Sequence, residues 1–318
     1  VHWIQPRIIV WGLPCLGSKT PPALGYFLAR ACALAVGVAA VLAVGHGAGR
    51  DLLRFVRAGP APAGRAIPAG WAAASFGVLG LGLAGLWYPS LLAILAAVGV
   101  ARTLAALRRR GSAPRPIRAP AFPWRRLEVA LPAALLGWLL LLICLAPEVF
   151  QDAMRYHLFL PKRFLLEHKY FFVDRYFFWS YMGLTHMLYG PALALGGVLT
   201  AHAVNLAMAG MAFSSLIRIM RAAGLPLPAQ ALAAGLTVTA PGLLLVTGSA
   251  FAEHGGALYV FLAAESLLDD RSAGFRQLRA AALWIGLAFT AKYTAAFGAV
   301  GCVLMLAFRA DRGRTWAV

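Results

Sequence analysis

Eight apolar runs dominate this sequence, and each has to be kept from water. They cover Leu24–Gly45, Trp71–Tyr88, Leu91–Leu107, Leu127–Leu145, Val198–Ile217, Ala229–Val246, Phe251–Leu268 and Ala280–Phe308. A membrane span needs about 20 mostly apolar residues. Lipid offers the backbone no hydrogen bonds, so helices are the natural way to cross it. The composition agrees: 61% of the 318 residues are hydrophobic and 13% charged, with a mean hydropathy of +0.74. Soluble domains hold roughly 45–50% apolar and about 25% charged residues. A soluble enzyme and a disordered chain are both excluded. The expected fold is an all-α, polytopic transmembrane bundle of about eight to nine spans, with juxtamembrane helices in its first outer loop. Four cysteines, far apart and without a C-x-x-C spacing, favour neither a disulfide framework nor a zinc site.

A net charge of +18 would fit a nucleic-acid partner, but the arginines sit at the ends of apolar runs. That placement marks orientation in a membrane and excludes nucleic acid. Eight arginines between Arg102 and Arg126, with four prolines among them, define a basic cytoplasmic linker over 108–126. It separates N-terminal transmembrane helices (1–107) from a membrane core (127–318). The core reads as lacking later C-terminal helices, and no signal peptide is apparent. From the linker, Leu127–Leu145 runs outward and Val198–Ile217 returns inward to Arg218 and Arg221. Between them, Met182–Gly196 is expected to lie along the outer leaflet, because crossing would put those arginines outside. The last run carries arginines at both ends, which requires a hairpin with Lys292 at its outer turn.

With only eleven acids, each position is informative. Glu148, Asp152, Glu167 and Asp174 fall in the first outer loop, and Glu253 opens an apolar helix far from any arginine. A carboxylate at the membrane edge points to function, although a first-turn acid also complements a helix dipole. On a helix, Asp152 shares a face with Tyr156 and adjoins Arg155. Eight of the twelve residues from Tyr170 to Tyr181 are aromatic. They read as an interfacial belt or, more sharply, as a sugar-stacking surface. Glu265 faces Asp269 and suggests no pair, and His202 has nothing in its sequence surroundings to single it out.

The string Asp152-Ala153-x-x-Tyr156-His157-Leu158-x-x-Pro161-Lys162 resembles the first outer-loop motif of the GT-C glycosyltransferases. The nearest likeness is to bacterial relatives of the protein mannosyltransferases and aminoarabinose transferases. Met187-Leu188-Tyr189, Phe251-Ala252-Glu253 and Gly286–Thr294 extend the resemblance over Leu127 to Phe308. It implies inverting transfer of a sugar from a polyprenyl-phosphate donor to a hydroxyl acceptor. The reaction would occur on the outer face of a bacterial inner or plasma membrane. Asp152 would serve as base or metal ligand, and Glu253 would stand where aspartate is commoner. His186 occupies a position where related sequences often carry an acid.

Such chemistry needs a base, positive charge for the departing phosphate, and exclusion of water. Asp152 and Glu253 are the expected catalytic pair. Arg155, Tyr156, His157, Lys162, His186, His254, Lys292 and Tyr293 are the expected substrate-binding set. A divalent cation, Mg or Mn, between Asp152 and Glu253 is the one cofactor left open. Membrane lipid, the lipid-linked sugar and a hydroxyl acceptor are the expected partners. The rival class is a transporter or flippase of lipid-linked sugars, which favours internal repeats and broken helices.

Overall fold

The computed structural model describes residues 24–55, 63–109, 127–181, 183–268 and 275–315. The linker beyond Arg109, the Asp269–Asp270 loop and the first 23 residues lie outside it. Eleven α-helices form among the described residues, with no strand. The first three are α1 (Leu24–Phe55), α2 (Ala63–Leu83) and α3 (Pro89–Arg109). Then come α4 (Leu127–Leu145), α5 (Phe159–Leu166), α6 (Leu184–Ala222), α7 (Leu227–Thr239) and α8 (Pro241–Gly248). The last are α9 (Glu253–Leu268), α10 (Phe275–Ala291) and α11 (Ala296–Thr315).

By length and apolarity four of these can cross a membrane: α1, α2, α3 and α6. A fifth span results if α7 and α8, bent by 65° at their junction, count as one. The expected eight to nine are not reached by this measure among the described residues. Ala229–Val246 was expected unbroken, but Pro241 cannot donate a backbone hydrogen bond and starts α8 at a bend. α9, at 16 residues, extends about 24 Å at 1.5 Å per residue, short of a bilayer core of about 30 Å.

Small residues bring α1 and α2 together. A Cβ on Gly49 would stand 1.6 Å from the Ala66 carbonyl oxygen, and one on Gly70 1.8 Å from that of Gly45. The register, 49 against 66 and 45 against 70, makes the pair antiparallel. α3 runs alongside α1, where Arg102 pairs with Asp51 and the Thr103 hydroxyl donates to the Ala43 carbonyl at 2.5 Å. Near the same end, Arg218 holds Glu265 through two 2.9 Å hydrogen bonds, Ser215 donates to Glu265 at 2.8 Å, and Arg65 lies 3.9 Å away. Glu265 is therefore a cross-helix ligand of arginine, contrary to the reading that gave it no pair. This arginine end gathers the α1, α3, α6 and α9 C-termini and the start of α2.

The opposite, loop end collects the long α4–α6 connection, the start of α9 and the end of α10. α6 reaches it twice. Gly197 takes φ +66, a conformation that glycine enters without steric cost, and the helix breaks at Gly196–Gly197. Sites for a Cβ on Gly255 lie 2.4 Å from Thr185 Oγ1 and 3.5 Å from Met208 Sδ. A straight helix would hold those two residues roughly 34 Å apart, so the two segments of α6 fold back on one another. A separate helical segment thus runs from Leu184 to the break at Gly196, within the stretch expected as its own helix; Met182 lies outside the described residues. The break expected at Lys292 is present, and the extended backbone of that residue (φ −158°, ψ 131°) ends α10. Beyond it, Ala295 lies near Gly256 and Gly298 against Val260, so α11 descends alongside α9 and completes a hairpin.

Candidate functional site

The loop from α4 to α6 begins with a single π turn, Ala153–His157. Leu158 N–H reaches back five residues to the Ala153 carbonyl at 2.9 Å. This wider turn buries Tyr156 and His157 and leaves Asp152, Met154 and Arg155 exposed. Asp152 is thus exposed while Tyr156, four residues on, is buried. Single π turns occur often at functional sites. The Tyr156 ring lies parallel to Phe178 (centroids 5.5 Å apart, 2° between planes) and against His157 at 4.1 Å. Arg155 sits over Phe178, and the Tyr176 hydroxyl donates to the Arg155 carbonyl at 2.5 Å. Most of the aromatic run packs within its own loop, while Phe172 and Phe177 stay exposed.

His157 meets His186 edge to edge, with Nδ1 and Nε2 2.6 Å apart and the rings 6° from coplanar. His186 stands one turn into α6, after Gly183. A Cβ on Gly183 would fall 2.2 Å from the Ala291 carbonyl oxygen, so only glycine lets the end of α10 come this close. That contact brings Lys292 to the histidines. Burial, then the charges of His186 and Lys292, push the His157 pKa far below its ordinary value, so the ring is neutral.

Lys292 Nζ contacts Glu253 Oε1, joining α10 to the first turn of α9. Glu253 Oε2 is buried without a hydrogen-bond partner among the described residues, and so is His157 Nε2. Four segments thus bring Tyr156, His157, His186, Glu253 and Lys292 into one cluster. Five other expected residues stand apart from it, Arg155 among them, over the Phe178 ring. Lys162 is half-buried on α5, and Tyr293 is exposed just past Lys292. His254 is buried and bonded to Thr247 Oγ1 at 2.8 Å. The Asp152 carboxylate is exposed and makes no hydrogen bond or ion pair among the described residues. No group of three His, Cys, Asp or Glu among those residues is arranged to hold a metal ion. With Glu253 engaged by Lys292, the residues present do not fit a metal shared by Asp152 and Glu253.

A polar scaffold that the sequence did not reveal holds the strap before α9. Glu148 accepts hydrogen bonds from Phe150 N–H, Ala250 N–H and His202 Nε2, each at 3.1 Å. His202 Nδ1 lies 2.8 Å from the Cys144 carbonyl. Both His202 nitrogens face acceptors, the Cys144 carbonyl and Glu148 Oε2. The Glu148 and His202 side chains are 4% and 2% exposed. Burial alone would raise the Glu148 pKa. The hydrogen bonds from His202, Ala250 and Phe150, with the charge on His202, bring it below the ordinary value. Asn205 donates to the Val246 and Ser249 carbonyls at 2.7 and 2.5 Å, and the Tyr189 hydroxyl donates to the Phe251 carbonyl. The position of Glu253 is therefore set by α6 and by the end of α4. No family model, curated protein or solved structure matches the chain.

Proposed function

We propose that this chain is the membrane core of a glycosyltransferase that takes a sugar from a polyprenyl-phosphate carrier. The supporting observation is the meeting of His157, His186, Glu253 and Lys292 at one end of an apolar helical bundle. Asp152 opens the turn that carries His157. The proposed setting is a bacterial inner or plasma membrane, with the loop end on the extracytoplasmic face and the arginine end inside.

In this reading the acceptor hydroxyl loses its proton to Asp152, whose exposure suits an acceptor arriving from water. The acceptor oxygen forms its bond to the anomeric carbon as the carbon–phosphate oxygen bond breaks, with inversion. The carrier phosphate departs with the bonding electrons. Lys292 stabilises it from the buried side, and Arg155 and Lys162 do so from the loop. A positioned base contributes about 10²–10⁴-fold. Glu253 holds Lys292 in place, and its second oxygen is left to accept from a substrate hydroxyl. The resemblance in the first outer loop supplies the identity of the donor.

A carrier or flippase is the second reading, favoured by the broken α6 and the bent α7–α8 pair. Proteoliposomes loaded with a labelled polyprenyl-phosphate sugar separate the two. Transfer of label to a water-soluble or lipid hydroxyl supports the transferase. Movement of intact donor between leaflets, with no product, overturns it.

A further inference from the structure

A neutral imidazole has one N–H and one lone pair, so a hydrogen bond between two histidines has a direction. At His186 that direction is set by Gly183. The Gly183 N–H lies 2.9 Å from His186 Nδ1 and donates to it. The Gly183 carbonyl, 3.1 Å from the same nitrogen, already accepts the His186 backbone N–H at 3.0 Å. Satisfying Gly183 therefore makes Nδ1 the acceptor and puts the His186 proton on Nε2. That proton points to His157 Nδ1, 2.6 Å away, which must accept it. The His157 proton is then on Nε2.

This last N–H is fully buried and has no acceptor among the described residues. Buried donors in native proteins rarely go unused. Around the ring stand Tyr156 on its own turn and Phe251 before α9, and the charge of Lys292, which follows the Ala291 carbonyl packed on Gly183, acts on it. Beyond Lys292, the free Glu253 Oε2 is an acceptor in need of a donor. A guest with an anionic oxygen and a neighbouring hydroxyl meets all three groups, and a glycosyl phosphate has both.

We propose that His157 Nε2–H and Lys292 Nζ are the two donors of an anion site for a phosphate ester. His186 is the positioning residue that fixes His157 in its donor form through Gly183. The proposal deepens the transferase reading and rests on it for the identity of the ester. Because His157 donates as a neutral ring, its contribution persists as pH rises through about 6 to 8, where an imidazolium would be lost.

The test uses the full chain in lipid nanodiscs, with a polyprenyl phosphate as probe and the polyprenol and inorganic phosphate as controls. Wild type should bind the polyprenyl phosphate and not the polyprenol. His157→Leu and His186→Phe should each weaken binding about 10- to 100-fold, the effect of one hydrogen bond to a charged group. His157→Gln, which keeps an N–H donor, should recover most of it. Nitrogen-15 spectra of the wild-type imidazoles should show both rings protonated on Nε2, a readout that survives if a variant fails to fold. Inorganic phosphate binding as tightly, with the same response to the variants, would keep the anion site but overturn the carrier-based reading. A proton on His157 Nδ1, or wild-type affinity in both apolar variants, would overturn the proposal itself.

Discussion

Removing the Glu148 carboxylate should cost more stability than any exposed charge on this protein, because three separate segments hang on it. Its oxygens accept from Phe150 N–H, Ala250 N–H and His202 at 3.1 Å each. Glu148→Ala leaves all three donors in a site where the carboxylate was 4% exposed. Each orphaned donor costs about 1–3 kcal/mol, and breaking a buried charge pair costs about 3–5 kcal/mol in all. We expect a loss of about 4 kcal/mol. Glu148→Gln should lose about 2–3 kcal/mol, since the amide oxygen can serve Ala250 and His202 as Oε2 does, but its NH2 then faces the Phe150 N–H and the charge is gone. The pair should couple: with His202→Phe in the background, Glu148→Ala should cost about 1–3 kcal/mol less than alone. The carboxylate's pKa is depressed in the folded protein, so its contribution is present above the ordinary 4.5 and fades as pH falls through the folded value. Reversible unfolding in mixed micelles, followed by tryptophan fluorescence, measures all of these. A Glu148→Ala loss under about 0.5 kcal/mol, or strict additivity with His202→Phe, would refute the reasoning.

Other outcomes follow from burial and packing. His157 is neutral when folded and ordinary when unfolded, so acidification below 6.5 should cost wild type up to about 1.4 kcal/mol per pH unit more than His157→Gln; equal slopes would contradict this. Glu265→Leu, which strands Arg218 and Ser215, should cost about 2–3 kcal/mol. By contrast Arg102→Ala, whose pair with Asp51 is about half exposed, should cost under about 1 kcal/mol in the same assay. Gly70→Leu drives a Cβ into the Gly45 carbonyl and should cost at least about 3 kcal/mol, whereas Gly77→Ala, with open space around it, should stabilise by about 0.5–1 kcal/mol. A melting comparison of the two glycine variants decides that point.

The parts of the fold legible in the sequence were those written in charge and helix-breaking residues. Arginines at both ends of Ala280–Phe308 implied a turn at Lys292, and the chain breaks there. The charge count set the stretch before Val198 apart from the following span, and the helix does break at Gly196–Gly197, a break the charges did not locate. Lys292 and Glu253, 39 positions apart, were both expected on the outer side and are in contact. Glu148 and His202 were missed for a physical reason. A histidine inside an apolar run looks the same whether it fills space or bonds a carboxylate 54 positions away. Asn205 and the direction of the His157–His186 bond were hidden for the same reason, since both depend on where a distant backbone N–H or carbonyl comes to rest. Asp152 stood out through resemblance, and its carboxylate is exposed and without internal support, apart from the cluster.

The most direct measurement compares wild type and Asp152→Asn, both purified into proteoliposomes with a labelled polyprenyl-phosphate sugar and a hydroxyl acceptor. Because Asp152 supports no other residue, the variant should fold and melt as wild type does. Its transfer rate should fall by about 10²–10⁴-fold, the contribution of a positioned base. Near-normal turnover by a folded Asp152→Asn protein would contradict the account.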